Sequence, residues 1–228
     1  MLANRELHIG PCCAGRTADL LKVDYKKELE HLYSAPREPT MVDVPGMAFL
    51  MIDGHGDPNT APGYAAAVQA LYAVAYTAKF AIHRAPEEID FSVMPLEGLW
   101  WVQDMATFSV ANKQDWNWTL MIMQPAAVTA TLFQEAAEAA LRKKPELTSI
   151  DMVRLEHFTE GPAAQVLHIG PYSEEGPVIE RLHDFIADHG CVRSGTHHEI
   201  YLSDARRTAP EKLKTIIRQP LTEAVATQ

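Results

Sequence analysis

Leu120-Met121-Ile122-Met123-Gln124-Pro125 (LMIMQP, 120–125) has a counterpart in Thr215-Ile216-Ile217-Arg218-Gln219-Pro220 (TIIRQP, 215–220). Each ends in Gln-Pro, and the first reads as a strand that ends there. A thinner match sets Gly54-His55-Gly56 against His168-Ile169-Gly170. Identity is sparse in both, so the order of elements has to carry the argument. Working outward from the two runs gives the same order twice: strand, helix, strand, strand.

In the first unit, Val42, Val44, Ala48, Leu50 and Ile52 read as a bent strand interrupted at Pro45-Gly46, and a turn-rich loop fills 54–63. From Tyr64 onward, Val68, Leu71, Tyr72, Ala75 and Ala78 recur at helical spacing, with Pro62 near the start where it is tolerated. Strands follow at 91–94 continuing through 96–102, and at 117–123. Val128 to Lys144 reads as a connecting helix, with Thr129 or Thr131 as cap and Arg142, Lys143 and Lys144 at its carbonyl end. The second unit has strands at 150–158 and 164–169, a turn at Gly170-Pro171, and a helix opened by Pro177 and closed by Gly190. HHEIYLSD (197–204) and the strand containing TIIRQP complete it.

The fold expected is therefore α+β: tandem strand-helix-strand-strand repeats, two antiparallel sheets with helices outside. If the helix-free faces bury against each other, a central ligand cleft is left between them. Repeat one covers about 40–125, the connecting helix 128–144 and repeat two 150–222, inside a domain of 24–228. Asp24 is placed to cap a short helix from Tyr25 to Tyr33, and residues 1–23, with no sustained periodicity, read as an irregular extension.

Composition narrows the function. Acidic residues number 30 against 20 basic, a net charge of −10, which suits neither a nucleic-acid groove nor an anionic membrane surface. Cationic small molecules are the better electrostatic match. Three cysteines without a C-x-x-C pair provide no disulfide framework and no zinc or redox motif, so the reducing cytoplasm is the expected compartment. Ala65 to Ile82, the longest apolar stretch, contains Gln69 and Lys79 and reads as a helix of a soluble protein. No nucleotide-binding loop or serine-hydrolase elbow occurs, so no cofactor is expected.

The chemistry points to HHEIYLSD. Strand alternation puts His197, Glu199 and Tyr201 on one face and His198, Ile200 and Leu202 on the other, giving a chemical face and an apolar one. A carboxylate in the middle of an apolar strand costs several kcal/mol to desolvate unless it is paired or working. A buried ion pair with Arg206 is the structural alternative. Trp100, Trp101, Trp116, Trp118, Tyr172 and Tyr64 are available to line a box for a flat cationic or electrophilic ring, although large aromatics are also ordinary core residues. His168 and Tyr172 bracket a turn at a strand end, where loops commonly carry function. His197 and His198 point to opposite faces, so they do not converge with Glu199 on a metal, and no metal is expected. Cys191, after Gly190, reads as packing.

Four blocks taken together, PLEGLWW (95–101), HIGPYSEE (168–175), HHEIYLSDARR (197–207) and KLKTIIRQP (212–220), resemble the GyrI-like small-molecule-binding family, in particular its stand-alone bacterial members. The resemblance spans roughly Asp24 to Leu221. It implies two such repeats around a ligand cleft. In relatives fused to transcription regulators, a buried glutamate binds aromatic cations, and Glu199 is the matching residue. Some stand-alone relatives resemble hydrolases that open the strained cyclopropane of DNA-alkylating natural products. On that pattern Glu199 is the general base, with Tyr172, Tyr201 or His168 as donor, and Trp100, Trp101, Trp116, Tyr64, Tyr201 and His197 around the ligand. No helix-turn-helix precedes the domain, which departs from the regulators. The expected partners are aromatic, cationic small molecules; a homodimer is the oligomeric alternative to a monomer, and gyrase enters through the family name alone.

Overall fold

The computed structural model describes residues 21–84, 89–105 and 113–224. Residues 1–20, most of the extension read as irregular, lie outside the described residues. Leu21–Val23 do not continue that irregular reading: they form strand β1, paired in parallel with β4 (Ile89–Phe91) in a small two-stranded sheet. The short helix expected after Asp24 is present as two single turns, α1 (Tyr25–Glu28) and α2 (Glu30–Tyr33), and the Asp24 side chain makes no cap bond.

The main sheet holds nine strands: β2 (Thr40–Val44), β3 (Met47–His55), β5 (Leu96–Trp101), β6 (Asn117–Gln124), β7 (Arg154–Phe158), β8 (Gly161–Ile169), β9 (Cys191–Arg193), β10 (His197–Tyr201) and β11 (Lys214–Glu223). Its order is β2-β8-β11-β10-β5-β6-β3-β7, with β9 attached to β11. From the two ends inward, each pair of strands (β2 and β7, β8 and β3, β11 and β6, β10 and β5) holds the same place in its own repeat. LMIMQP lies on β6 and TIIRQP on β11, so the stretches that announced the repeat occupy equivalent positions. The α+β class and the two strand-helix-strand-strand units are as expected.

Four details differ from the expectation. The strand read from 91 through 102 is broken, since Phe91 ends β4 in the small sheet and only Leu96–Trp101 joins the main one. The sheets of the two units are not stacked but joined edge to edge, because β5 and β10 pair antiparallel from Leu96↔Tyr201 to Trp100↔His197. The bent strand is two strands: Pro45-Gly46 sends β2 to β8 of the other unit, while β3 pairs with β6 of its own unit and takes β7 of the other in exchange. The stretch 150–158 is a strand only from Arg154, since Thr148–Met152 forms a 3-10 turn.

Helix α3 (Pro62–His83) starts with Pro62 in its first turn and buries Ala67, Ala70, Leu71, Val74, Ala75, Ala78 and Ile82. The mostly small stripe lets the helix sit close against β3 and β6. By length and composition α3 alone among the described residues could cross a membrane, but this stripe is packed inside the fold. Helix α4 (Ala130–Lys143) is capped by Thr129, whose hydroxyl accepts from the Leu132 N–H at 3.2 Å, and it packs on α3. Helix α5 (Gly176–Asp188) buries Leu182 and Ile186 against Val166 and Ile217. Residues opposite one another in register share a face, so Ile217, Glu199, Gly98 and Leu120 stand on the face that carries α5.

Candidate functional site

The cleft does not lie between two helix-free faces. It opens on the helix-bearing side of the sheet, between α3 and the start of α5, above the seam where β5 meets β10, with a volume of about 1080 Å³. That is enough for a drug-sized ligand. The opposite face is covered by α2, whose Leu32 and Tyr33 are buried.

Glycines set the floor. A Cβ at Gly98 would come within 2.8 Å of the Trp100 indole nitrogen, and one at Gly54 would overlap the Trp118 ring. Both tryptophans therefore lie flat along the strands. Tyr64 of α3 stacks on Trp100 at 6.1 Å between centroids and meets the edge of Trp118 at 5.3 Å, while Trp116 tilts against Trp100 at 5.3 Å. On the other wall, the rings of Tyr172 and Tyr201 meet edge to face at 5.7 Å.

Glu199 stands between these walls, 8% exposed. Its Oε1 accepts from His197 Nε2 at 3.1 Å and its Oε2 from the Tyr201 hydroxyl at 2.7 Å. Burial pushes the carboxyl up, but the bond and field of His197, the Tyr201 hydroxyl and the Lys113 ammonium outweigh it and hold Glu199 below the ordinary carboxylate range. It is an anion. The phenols around it are not: burial first, then the Glu199 charge, raises Tyr201 and Tyr64. Tyr172 is pushed up to about 12 by burial, Glu175 and Glu199.

Glu175 is the residue that sequence reading missed. It is the last residue before α5, lines the cleft, and is 4% exposed. Among the described residues its Oε1 has no hydrogen-bond partner of good geometry, and the Thr215 hydroxyl beside the carboxyl acts on it as a donor that tempers its rise. Burial first and the Glu199 charge second push the Glu175 carboxyl up to about 9. One site therefore holds a carboxylate and a carboxylic acid, the split that separates acid from base roles. Lys113, also missed, is 5.2 Å above the Trp116 ring.

Of the residues singled out from sequence, the structure brings Glu199, Tyr201, Tyr172, Tyr64, Trp100 and Trp116 to the cleft. His197 is beneath Glu199 and orients it. Trp101 does not belong there: one residue beyond Trp100 on β5, it points to the opposite face. His168 does not reach Glu199 by any hydrogen bond; its Nε2 is bonded to the Pro171 carbonyl at 3.2 Å, which steadies the turn that carries Tyr172. Tyr201 already donates to Glu199 and so is not a free donor for a ligand. Arg206 is no partner of Glu199, because it forks onto Asp204 at 3.0 and 2.9 Å at the surface. Among the described residues no group of acidic, histidine or cysteine side chains is arranged to hold a metal.

The face shared by His198 and Ile200 is not the apolar one expected. His198 bonds Glu160 through Nδ1 at 2.9 Å and Glu97 through Nε2 at 3.0 Å. Arg218 donates to Glu160 at 3.2 Å, to Gln165 and to the Leu32 carbonyl, and Tyr33 donates to Glu97 at 2.7 Å.

Comparison with known proteins agrees with this architecture. The family model described as the GyrI-like small molecule binding domain matches residues 37–222. An uncharacterized conserved protein from Listeria innocua is 41% identical, with a TM-score of 0.82 over 88% of this chain and 100% of its own. A hydrolase from Listeria innocua is 40% identical, with a TM-score of 0.80 over 88% and 100% of the two chains. The EcmrR C-terminal domain, 10% identical with a TM-score of 0.51 over 82% and 98%, shares the fold alone. No curated protein matches the chain.

Proposed function

The chain belongs to the GyrI-like small-molecule-binding family, and on that premise we propose that its cleft takes flat aromatic electrophiles or cations against Glu199 and adds water to the electrophiles, a cytoplasmic detoxification chemistry. One observation carries the reading: a buried carboxylate and a buried carboxylic acid, Glu199 and Glu175, share an aromatic-walled cleft. Aromatic faces add about 0.5 to 2 kcal/mol each for a cation, and the carboxylate supplies the formal charge. The likeness to a Listeria innocua hydrolase at 40% identity supports catalysis as well as binding.

For a strained three-membered ring conjugated to a carbonyl, the division of labour is direct. Water attacks a ring carbon as Glu199 accepts its proton. The ring C–C bond breaks toward the carbonyl, whose oxygen takes the Glu175 proton. Glu199 then returns a proton to Glu175 through solvent, so the balance is ring plus water to ring-opened alcohol. Of the donors considered from sequence, Tyr172 stays available as a second one because its phenol remains protonated at neutral pH. A non-catalytic binder of aromatic cations is the second reading. It is favoured by one feature: both Glu199 oxygens already hold donors, which suits a fixed anion.

A time course separates the two readings. With a neutral aryl cyclopropyl ketone, the enzyme returns hydrated product with turnover above one, and Glu199→Gln still binds but turns over about 10² to 10⁴ times more slowly. An unchanged ligand after prolonged incubation with wild type leaves the binder. Product at the wild-type rate from Glu199→Gln removes Glu199 as the base.

A further inference from the structure

We propose that Glu175 makes the cleft a proton-exchanging cation site, in which a cationic aromatic ligand enters as the Glu175 proton leaves, whereas a neutral ligand of the same shape leaves that proton in place and accepts a hydrogen bond from it. The inference rests on the reading of the cleft as a site for aromatic ligands and assigns its response to ligand charge.

The geometry supports it at three points. Glu199 has one donor on each oxygen, His197 and Tyr201, which hold it as the anion of the site and leave it room for one further contact. Glu175, by contrast, is 4% exposed, lines the same cleft, and has an oxygen with no partner among the described residues. The buried Thr215 hydroxyl stands beside the carboxyl and acts on it as a donor that tempers its rise, without closing a bond of good geometry to that oxygen. A carboxyl oxygen left without a well-formed hydrogen bond beside a cleft costs stability that a ligand group can recover.

The surroundings then decide the proton. Glu175 faces Glu199 and Tyr201 from β10, Thr215 from β11, Lys113 from the turn before β6, and Tyr172 from its own turn. From β8, His168 is opposite Thr215 in register but is engaged with Pro171. Glu199 is the charge that acts on it most strongly, and two carboxylates sharing a dry site do not both ionise. Lys113 opposes that repulsion only in part, since Glu175 still holds its proton to about 9. A cation seated between the aromatic walls adds the positive charge that the pair lacks, and an opposite charge within a few ångströms lowers a carboxyl pKa by about 1 to 3 units. At pH 7.5 a shift of that size releases about 0.2 to 0.9 of a proton per ligand.

The experiment is calorimetric titration of the full chain with a planar aromatic monocation and its neutral isostere. It is run in two buffers of different ionisation enthalpy and from pH 6 to 9. The expected result is release of about 0.2 to 0.9 proton on cation binding at pH 7.5, with affinity rising by up to about tenfold per pH unit. The neutral isostere shows neither effect. Glu175→Gln binds the cation with no proton released and a flat pH profile. Cation binding without proton release, or the same release from Glu175→Gln, overturns the inference while the cleft reading stands. Equal affinity for cation and isostere in wild type, unchanged in Glu199→Gln, instead overturns the underlying reading, and the inference falls with it.

Discussion

His198 and Glu199 are neighbours in the chain and point to opposite faces of β10, and the two faces treat buried charge in opposite ways. Behind His198, two acids and two bases, Glu97, Glu160, His198 and Arg218, have side chains 1–2% exposed and are each bonded to another of the four. Charges taken out of water at such depth are tolerated only when mutual attraction and further hydrogen bonds offset the desolvation. Here the set balances, and its remaining donors hold the α2 carbonyls of Leu32 and His31 to the sheet through Arg218 and Gln165. In front, Glu199 and Glu175 share one negative charge without such closure, and among the described residues a Glu175 oxygen has no hydrogen bond of good geometry. A network that satisfies itself fastens a fold. One that does not is built for a group the chain lacks.

The largest effect that would break this contrast is on stability. Arg218→Leu strips a buried pair of one partner and is expected to cost about 3 to 5 kcal/mol in urea unfolding, whereas Glu199→Gln, which keeps its volume and its Tyr201 and His197 neighbours, costs about 1 kcal/mol or less. Comparable losses from the two variants would show that both faces are structural.

A pH series sharpens the comparison. Burial lowers His198, but Glu160 and Glu97 overcome it and push the imidazole up to about 9 from an ordinary 6.5. A folded-state value above the unfolded one contributes stability that is complete below pH 6.5 and is lost as pH rises toward 9. Glu175, up to about 9 against an ordinary 4.5, acts in the same direction, because the unfolded chain gives up that proton first. Stability should therefore fall between pH 6.5 and 9, by up to about 1.4 kcal/mol per pH unit for each group. Glu175→Gln should remove one share and keep the other. Unfolding midpoints that rise over this range would contradict both assignments.

Much of this was legible in the chain, for identifiable reasons. Runs ending in Gln-Pro marked β6 and β11, although β11 continues through Pro220 to Glu223, and alternation placed His197, Glu199 and Tyr201 together because a period of two needs no tertiary knowledge. The exchange of β2 between units was not legible, since Pro45-Gly46 is compatible with a bend or a break and only the partner strand decides. Trp100 and Trp101 are chemically alike, so sequence could not say which would face the cleft. An acid just before a helix reads as a solvated residue favoured by the helix dipole, and Glu175 is buried only because β10 and β11 pass beside it. The His198 network draws on Glu97, Glu160 and Arg218, which are far apart in sequence and meet only through strand register.

The central claim is that Glu199 is an unbalanced charge awaiting a ligand, and the most direct test is a dissociation constant. A planar aromatic monocation and its neutral isostere are titrated against wild type and Glu199→Gln at neutral pH. The account predicts at least about a tenfold preference for the cation in wild type, roughly 1.4 kcal/mol, and none in Glu199→Gln, which still binds the isostere. The same preference in both proteins would contradict it.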